Sequence, residues 1–291
     1  MPSLKEVRNR IVSVSSTSQI TSAMKMVSAA KLRRAQDAVT QMRPYATKIR
    51  EILENLSASL DSNEGVYSRN REVKKLLVIV ITSNRGLCGG FNSSVIKRVA
   101  LDIRNEYSNA QVSYLAIGKK GADFFRRSQY PAAFPELNNT NELFDAMSYA
   151  KTAPVAERVM KSFADGEFDK VVLYYNQFKN AAVQITQAEQ FLPVIPTKGA
   201  TKESKADYFF EPKKEEIIQD LIPRSLKTQL YKGMLDSFAS EHGARMTAMH
   251  KATDNAKELL KNLRITYNKA RQTAITNEIL EIVGGAEALK G

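Results

Sequence analysis

Glycine and proline crowd into the middle of this chain, and that asymmetry constrains the fold more than any other feature of the sequence. Between Pro2 and Pro44 there is neither residue, and the first glycine is Gly65. After Pro223 there is no proline, and only Gly233 and Gly243 interrupt the stretch before Gly284. Both residue types break regular helix, so their absence predicts two long helices bracketing a turn-rich centre. Ser3 with Glu6 behind Pro2 forms a capping box that starts the first helix. Leu4, Val7, Ile11 and Val14 follow at coiled-coil spacing. The seam turns small and polar through Ser18 and Thr21, recovers at Met24 and Val27, and thins to Ala30, Ala35 and Ala38. Ile49, Leu53, Leu56 and Leu60 restore it. Unbroken from Ser3 to about Leu60, such a helix is roughly 85 Å long, with Pro44 expected to kink or break it.

The C-terminal stripe runs through Leu226, Leu230, Ala252, Ala256, Leu259 and Leu263, with Met246 and Met249 beside it. It continues through Thr266, Ala270, Thr273 and Asn277 to Leu280. Neither long helix can bury its own stripe, so an antiparallel pair is the expected arrangement. The centre alternates strand and helix signals. Strands are predicted at Leu76–Thr82, Gln111–Ile117, Val171–Phe178 and Val183–Leu192. Helical segments are predicted at Asn92–Tyr107, from Gly118 through Phe125, and at Pro154–Ala164. Strand–helix–strand order with short links argues a parallel or mixed sheet. The expected fold class is therefore α/β: a long antiparallel coiled coil of the terminal helices plus a Rossmann-like α/β domain with a mostly parallel sheet. The expected division is a helix at 1–60, the α/β domain at 73–195, a linker at 196–211 and a helix at 212–291.

Several motifs invite a catalytic reading that their spacing does not support. Gly86, Gly89 and Gly90 lie between a strand and a helix, where phosphate loops sit. Their Gly-x-x-Gly-Gly pattern meets neither the GxxxxGK[ST] nor the GxGxxG template, so a structural turn is expected. Cys88, the single cysteine, has no histidine near it in sequence and reads as a small buried side chain. His242 and His250 stand eight apart, whereas metal ligands on one helix sit three or four apart. Glu215 and Glu216 suit a helix start. No catalytic residue, metal site or cofactor is expected. The longest apolar run, Leu76–Ile81, is far short of the roughly 20 residues of a membrane helix, and the first thirty residues lack the apolar core of a signal peptide.

What remains is charge: the 291 residues carry a net +12. Ser3–Ser57 holds 10 basic and 4 acidic residues, and Arg224–Arg271 holds the same numbers. The excess therefore rides on the two helices. A basic coiled coil can grip a nucleic-acid backbone or face acidic protein surfaces. Base stacking is unsupported, since the chain has no Trp and aromatics are nearly absent between Leu4 and Gln41.

Four stretches carry a family resemblance: ITSAMKMVSAAKLRRAQ (Ile20–Gln36), RGLCGGFN (Arg85–Asn92), SEHGARMTAMHKATDNA (Ser240–Ala256) and RQTAITNEILEIVGGAEAL (Arg271–Leu289). Together, and in that order, they resemble the gamma subunit of bacterial F-type ATP synthases. The resemblance implies a non-catalytic central rotor shaft, turned by proton or sodium-ion flow, within a ring of three alpha and three beta subunits. Its partners would be that alpha3–beta3 ring, the epsilon subunit and the membrane c-ring, with no nucleic acid. It would lie peripherally, through the complex, on the cytoplasmic face of a bacterial plasma membrane. Met24, Arg271, Gln272, Thr276 and Glu278 match ring-contact positions, and Lys25, Arg33, Arg34 and Arg245 form a basic girdle expected to face acidic segments of beta. The tip would be a bearing built from Ile282, Val283, Ala286, Ala288 and Leu289. Asn84 departs from the family's frequent Asp. Gly243 stands where the family commonly has Ala, at about 1 kcal/mol of helix stability, which suggests local flexibility. With Cys88 the single cysteine, no dithiol insert of the chloroplast kind is expected, nor a transit peptide, as for a bacterial member.

Overall fold

The computed structural model describes residues 3–57, 66–137, 139–145, 147–194 and 214–288. Its elements run α1 (Leu4–Ser57), β1 (Lys75–Ile81), α2 (Phe91–Glu106), β2 (Gln111–Ile117), α3 (Lys119–Phe125), α4 (Tyr149–Ala164), β3 (Lys170–Phe178), β4 (Gln184–Leu192) and α5 (Lys214–Ala288). Residues 196–211, the expected linker, lie outside the described residues. The chain divides into two compact units, Ala29–Arg245 and the pair Met1–Ser28 with Met246–Gly291.

Within Ala29–Arg245 four strands form one sheet in the order β2-β1-β3-β4. β1 pairs in parallel with both β2 and β3, and β4 closes the edge antiparallel to β3. The apolar run of β1 is uninterrupted because both faces of the sheet are covered. Leu77, Ile79 and Ile81 face Val155, Val159 and Phe163 of α4 and Leu226, Leu230 and Met234 of α5. Leu76, Val78 and Val80 face Val95, Val99 and Ile103 of α2 with Phe125 of α3. Burying each such side chain contributes about 1.5–3 kcal/mol before conformational entropy is set against it.

Local signals misplace some boundaries. α4 begins at Tyr149, five residues before the expected Pro154, because Ser148 caps it by accepting the Lys151 N–H at 3.4 Å. α1 runs unbroken through Pro44. Buried Val39 and Ile49 lie on either side of that proline, and packing of this kind outweighs the loss of one helical hydrogen bond. Gly118 is obligatory: its φ is 107°, and a Cβ there would collide with the Thr82 carbonyl. Gly243 serves a close approach, which gives a packing reason for glycine at this helical position. A Cβ at Gly243 would stand 3.2 Å from Ala181 Cα and 3.3 Å from its carbonyl oxygen.

In the second unit the helical segments pair antiparallel. The Thr253 hydroxyl lies 2.8 Å from that of Thr21, and Lys25 Nζ lies 3.4 Å from His250 Nδ1, so one segment ascends as the other descends. Buried and half-buried positions fall at Leu4, Val7, Ile11, Val14, Ser18, Thr21, Lys25 and Ser28, alternating three and four apart. The facing seam is Met249, Thr253, Ala256, Leu260, Leu263, Tyr267, Ala270 and Ala274. This corrects the expected stripe: Leu259, Thr266, Thr273 and Val27 are exposed, and a neighbour takes each place. One residue turns a helix by about 100°, and apolar side chains at adjacent positions leave the seam's phase open. Around the Thr pair, the Thr253 hydroxyl also lies 2.8 Å from the Met249 carbonyl and the Thr21 hydroxyl 3.1 Å from that of Ser18, so each hydroxyl has a carbonyl of its own helix and the other hydroxyl in reach. Thr253→Val is expected to destabilise this pairing by about 1 kcal/mol, and adding Thr21→Val to restore most of it. Amide exchange over 249–256 measures both, and equal protection in single and double variants would refute the pairing's role.

Candidate partner interface

The pairing register fixes where the helical pair ends. With Thr21 opposite Thr253 and Lys25 opposite His250, Leu4 falls opposite about residue 270. α5 continues to Ala288 past the start of α1, through Gly284 and Gly285 without a break. Every residue from Ile275 to Ala288 is exposed, including Ile275, Ile279, Leu280, Ile282 and Val283, with Ile282 at 71%. These bare apolar side chains, set among Thr276, Asn277, Glu278 and Glu281, make the helix end an exposed, partly apolar surface. Ile282, Val283, Ala286 and Ala288 lie on it; Leu289 lies outside the described residues. Arg271, Gln272, Thr276 and Glu278 are also exposed, on the helix just before and along this stretch. Thr276 spends its hydroxyl proton on the Gln272 carbonyl, 2.9 Å away. On α1, Met24 and Lys25 are half-buried, and Arg33 and Arg34 are exposed.

Arg245 is different, and its expected place on an exposed girdle is corrected. The residue is 6% exposed. Nη1 donates to Glu241 Oε1 at 2.6 Å, Nη2 to the Arg85 carbonyl at 2.8 Å and to that of Gly86 at 3.2 Å, and Nε to Gly86 at 3.3 Å. All of these partners lie in the same unit, so the guanidinium is an internal tie between α5 and the turn after β1. Glu241 is held above the usual carboxylate range by burial, with Arg245 pulling the other way. His242 lies beside them, its Nδ1 3.4 Å from Arg245 Nη1 and its ring edge-on to Phe238. Burial, with the Arg245 and Lys31 charges, lowers its pKa to about 3, so the ring is neutral. The i,i+4 spacing of Glu241 and Arg245 was readable in the sequence. Their tie to residues about 160 positions away carried no local signal.

The glycine turn is held by hydrogen bonds of its own. Ser83 Oγ donates to the Arg85 carbonyl at 2.7 Å, and Asn92 ties the turn down through the Ser83 N–H at 2.9 Å. Cys88 is buried in it, and burial pushes its thiol up. A thiol held protonated in this way is a poor nucleophile. Among the described residues no group of three His, Cys, Asp or Glu side chains could hold a metal, and no helix is long and apolar enough to cross a membrane.

The chain thus carries a paired helical element with an unpartnered end and a small doubly wound domain. Residues 3–289 match the family model described as ATP synthase. The chain is 61% identical to the ATP synthase gamma chain of Flavobacterium psychrophilum, over the full length of both. It is 46% identical to that of Chlorobaculum tepidum, again over the full length of both. Among solved structures, a chain of the Euglena gracilis mitochondrial ATP synthase, OSCP/F1/c-ring, superposes with a TM-score of 0.70 at 22% identity, covering 98% of this chain and 94% of that one. A chain of the Tetrahymena thermophila mitochondrial ATP synthase central stalk and c-ring gives 0.56 at 26% identity, covering 80% and 99%. The chain belongs to the ATP synthase gamma-chain family, and as a gamma chain it is a subunit of that complex.

Proposed function

We propose that this chain is the central rotor shaft of a proton-translocating bacterial F-type ATP synthase, itself without catalytic activity. The observation that carries this reading is the unpaired end of α5, exposed from Ile275 to Ala288 and bearing Ile275, Ile279, Leu280, Ile282 and Val283 bare among its polar residues, on a helix that has outrun its partner. Such an end suits a bearing in an apolar sleeve, with Ile282, Val283, Ala286, Ala288 and Leu289 as its surface. Arg271, Gln272, Thr276 and Glu278 would meet the alpha3–beta3 ring beside it, and Met24, Lys25, Arg33 and Arg34 would face beta. Arg245 would act from inside. The domain plan is then a helical shaft, 1–60 with 212–291, and a foot at 73–195 carrying epsilon and the c-ring. The 196–211 segment links foot to shaft. The complex would hold the chain at the cytoplasmic face of the plasma membrane.

The test is purification from native membranes through a tag on this chain. Recovery with alpha, beta and epsilon subunits is expected, and a free chain with none of them would refute the reading. Glu278→Ala, on an exposed helix face, is expected to change stability by no more than about 0.5 kcal/mol. In reconstituted vesicles it should lower ATP-driven proton pumping per ATP hydrolysed. Pumping equal to the parent's would remove Glu278 from the interface.

A further inference from the structure

The strand order β2-β1-β3-β4 has a topological switch point between β1 and β3. From β1 the chain crosses to β2 on one side, and from β2 it returns past β1 to β3 on the other. In doubly wound sheets the crevice beyond the carboxyl ends of two such strands is where a ligand binds. Here its walls are the turn after β1, residues 82–90, and the turn between β3 and β4. α5 reaches both. Gly243 sits against Ala181 of one wall, and the Arg245 guanidinium spends three N–H groups on the carbonyls of Arg85 and Gly86 in the other. Glu241 backs the guanidinium from its own helix.

The next residue in that turn is Leu87, which stands 64% exposed with a φ of 63°. A leucine in the left-handed region is strained by about 1–2 kcal/mol and persists only where its surroundings over-determine it. The rotation φ of Leu87 is measured from the peptide plane whose oxygen is the Gly86 carbonyl. Holding that oxygen and the one before it fixes the plane from which Leu87 projects. We infer that Arg245 is a positioning residue: the α5 helix bolts the switch-point crevice shut, and the guanidinium fork holds the 85–90 turn in its left-handed shape. Arg85 and Leu87 are thereby presented to the outside in one conformation. If the chain is the rotor shaft proposed above, Arg245 contributes to coupling through the turn it holds and touches no partner itself.

Cys88 supplies the test, because it follows Leu87, is buried, and is the single cysteine of the chain. Its labelling rate by a thiol reagent in the native full-length chain reads how often the turn opens. Arg245→Ala removes three hydrogen bonds from the turn and is expected to speed labelling at least about tenfold beyond Leu230→Ala, a core variant of similar stability placed away from the turn. Arg245→Lys keeps the charge and loses the fork, so an intermediate rate is expected. Guanidinium ion added to Arg245→Ala should slow labelling again. The Arg245 charge lowers the thiol's pKa, so its loss alone would slow the reagent; acceleration therefore reports opening. Labelling of Arg245→Ala no faster than Leu230→Ala, or of Arg245→Lys equal to the parent, would overturn the inference. The assay uses the free chain, so failure of the purification experiment would refute the rotor reading and leave this one standing.

Discussion

Arg245→Ala is expected to lower the free energy of unfolding of the Ala29–Arg245 unit by about 3–5 kcal/mol. The side chains of Arg245 and Glu241 are 7% and 8% exposed, 2.6 Å apart. Removing the cation leaves a buried carboxylate and two backbone carbonyls short of a donor, and the orphaned groups carry most of the loss. The same logic predicts a contrast. Arg245→Met combined with Glu241→Leu should recover part of the stability, because the Glu241 carboxylate is then no longer left buried without its partner, although the Arg85 and Gly86 carbonyls still lack a donor. Arg33→Ala, on an exposed stretch of α1, should change it by no more than about 0.5 kcal/mol. Urea unfolding of the three variants decides; an Arg245→Ala chain within about 1 kcal/mol of the parent would show that the network is slack.

His242 should make the protein acid-sensitive well above the carboxylate range. Its pKa falls from 6.5 to about 3 on folding, because burial and the Arg245 and Lys31 charges disfavour the imidazolium. Below pH 6.5 the unfolded chain takes up a proton that the folded chain refuses. Stability therefore falls as pH drops through the window from 6.5 to about 3, by at most about 1.4 kcal/mol per pH unit from this one group. Glu241, raised on folding, has the opposite sign: its contribution is present at low pH and declines as pH rises above its ordinary value. The His242 part is isolated by comparison with His242→Leu, which should flatten the slope between pH 6.5 and 4.5. Parallel pH profiles for the two proteins would mean that the ring is protonated in the fold.

Much of the architecture was legible along the chain, and the reason is local. The Gly- and Pro-free ends, the capping box at Ser3, and the apolar run of β1 each act within a few residues. α1, α5 and the four strands consequently lie where periodicity and turn signals place them. The errors share a cause. Leu259 and Leu260 are equally apolar, and only the facing helix selects Leu260 for the seam. Pro154 looks like a first helical residue until Ser148 caps the helix a turn earlier. Gly243 looks like a weak point until Ala181 is found against it.

The same division applies to function. By itself the sequence determined two basic helices and a small α/β centre, and four stretches in order carried the resemblance to a family that the comparisons then showed. The helices and the centre are properties of spacing and composition, which need no partner. Tertiary structure decided which residues do what. Arg245 reads in sequence as one more surface cation, and only folding brings the Arg85 and Gly86 carbonyls to its guanidinium. The length of the unpaired tip also follows from the register between Thr21 and Thr253, more than 200 residues apart. Long-range pairing of this kind is set by packing, because neither segment alone encodes where the other begins.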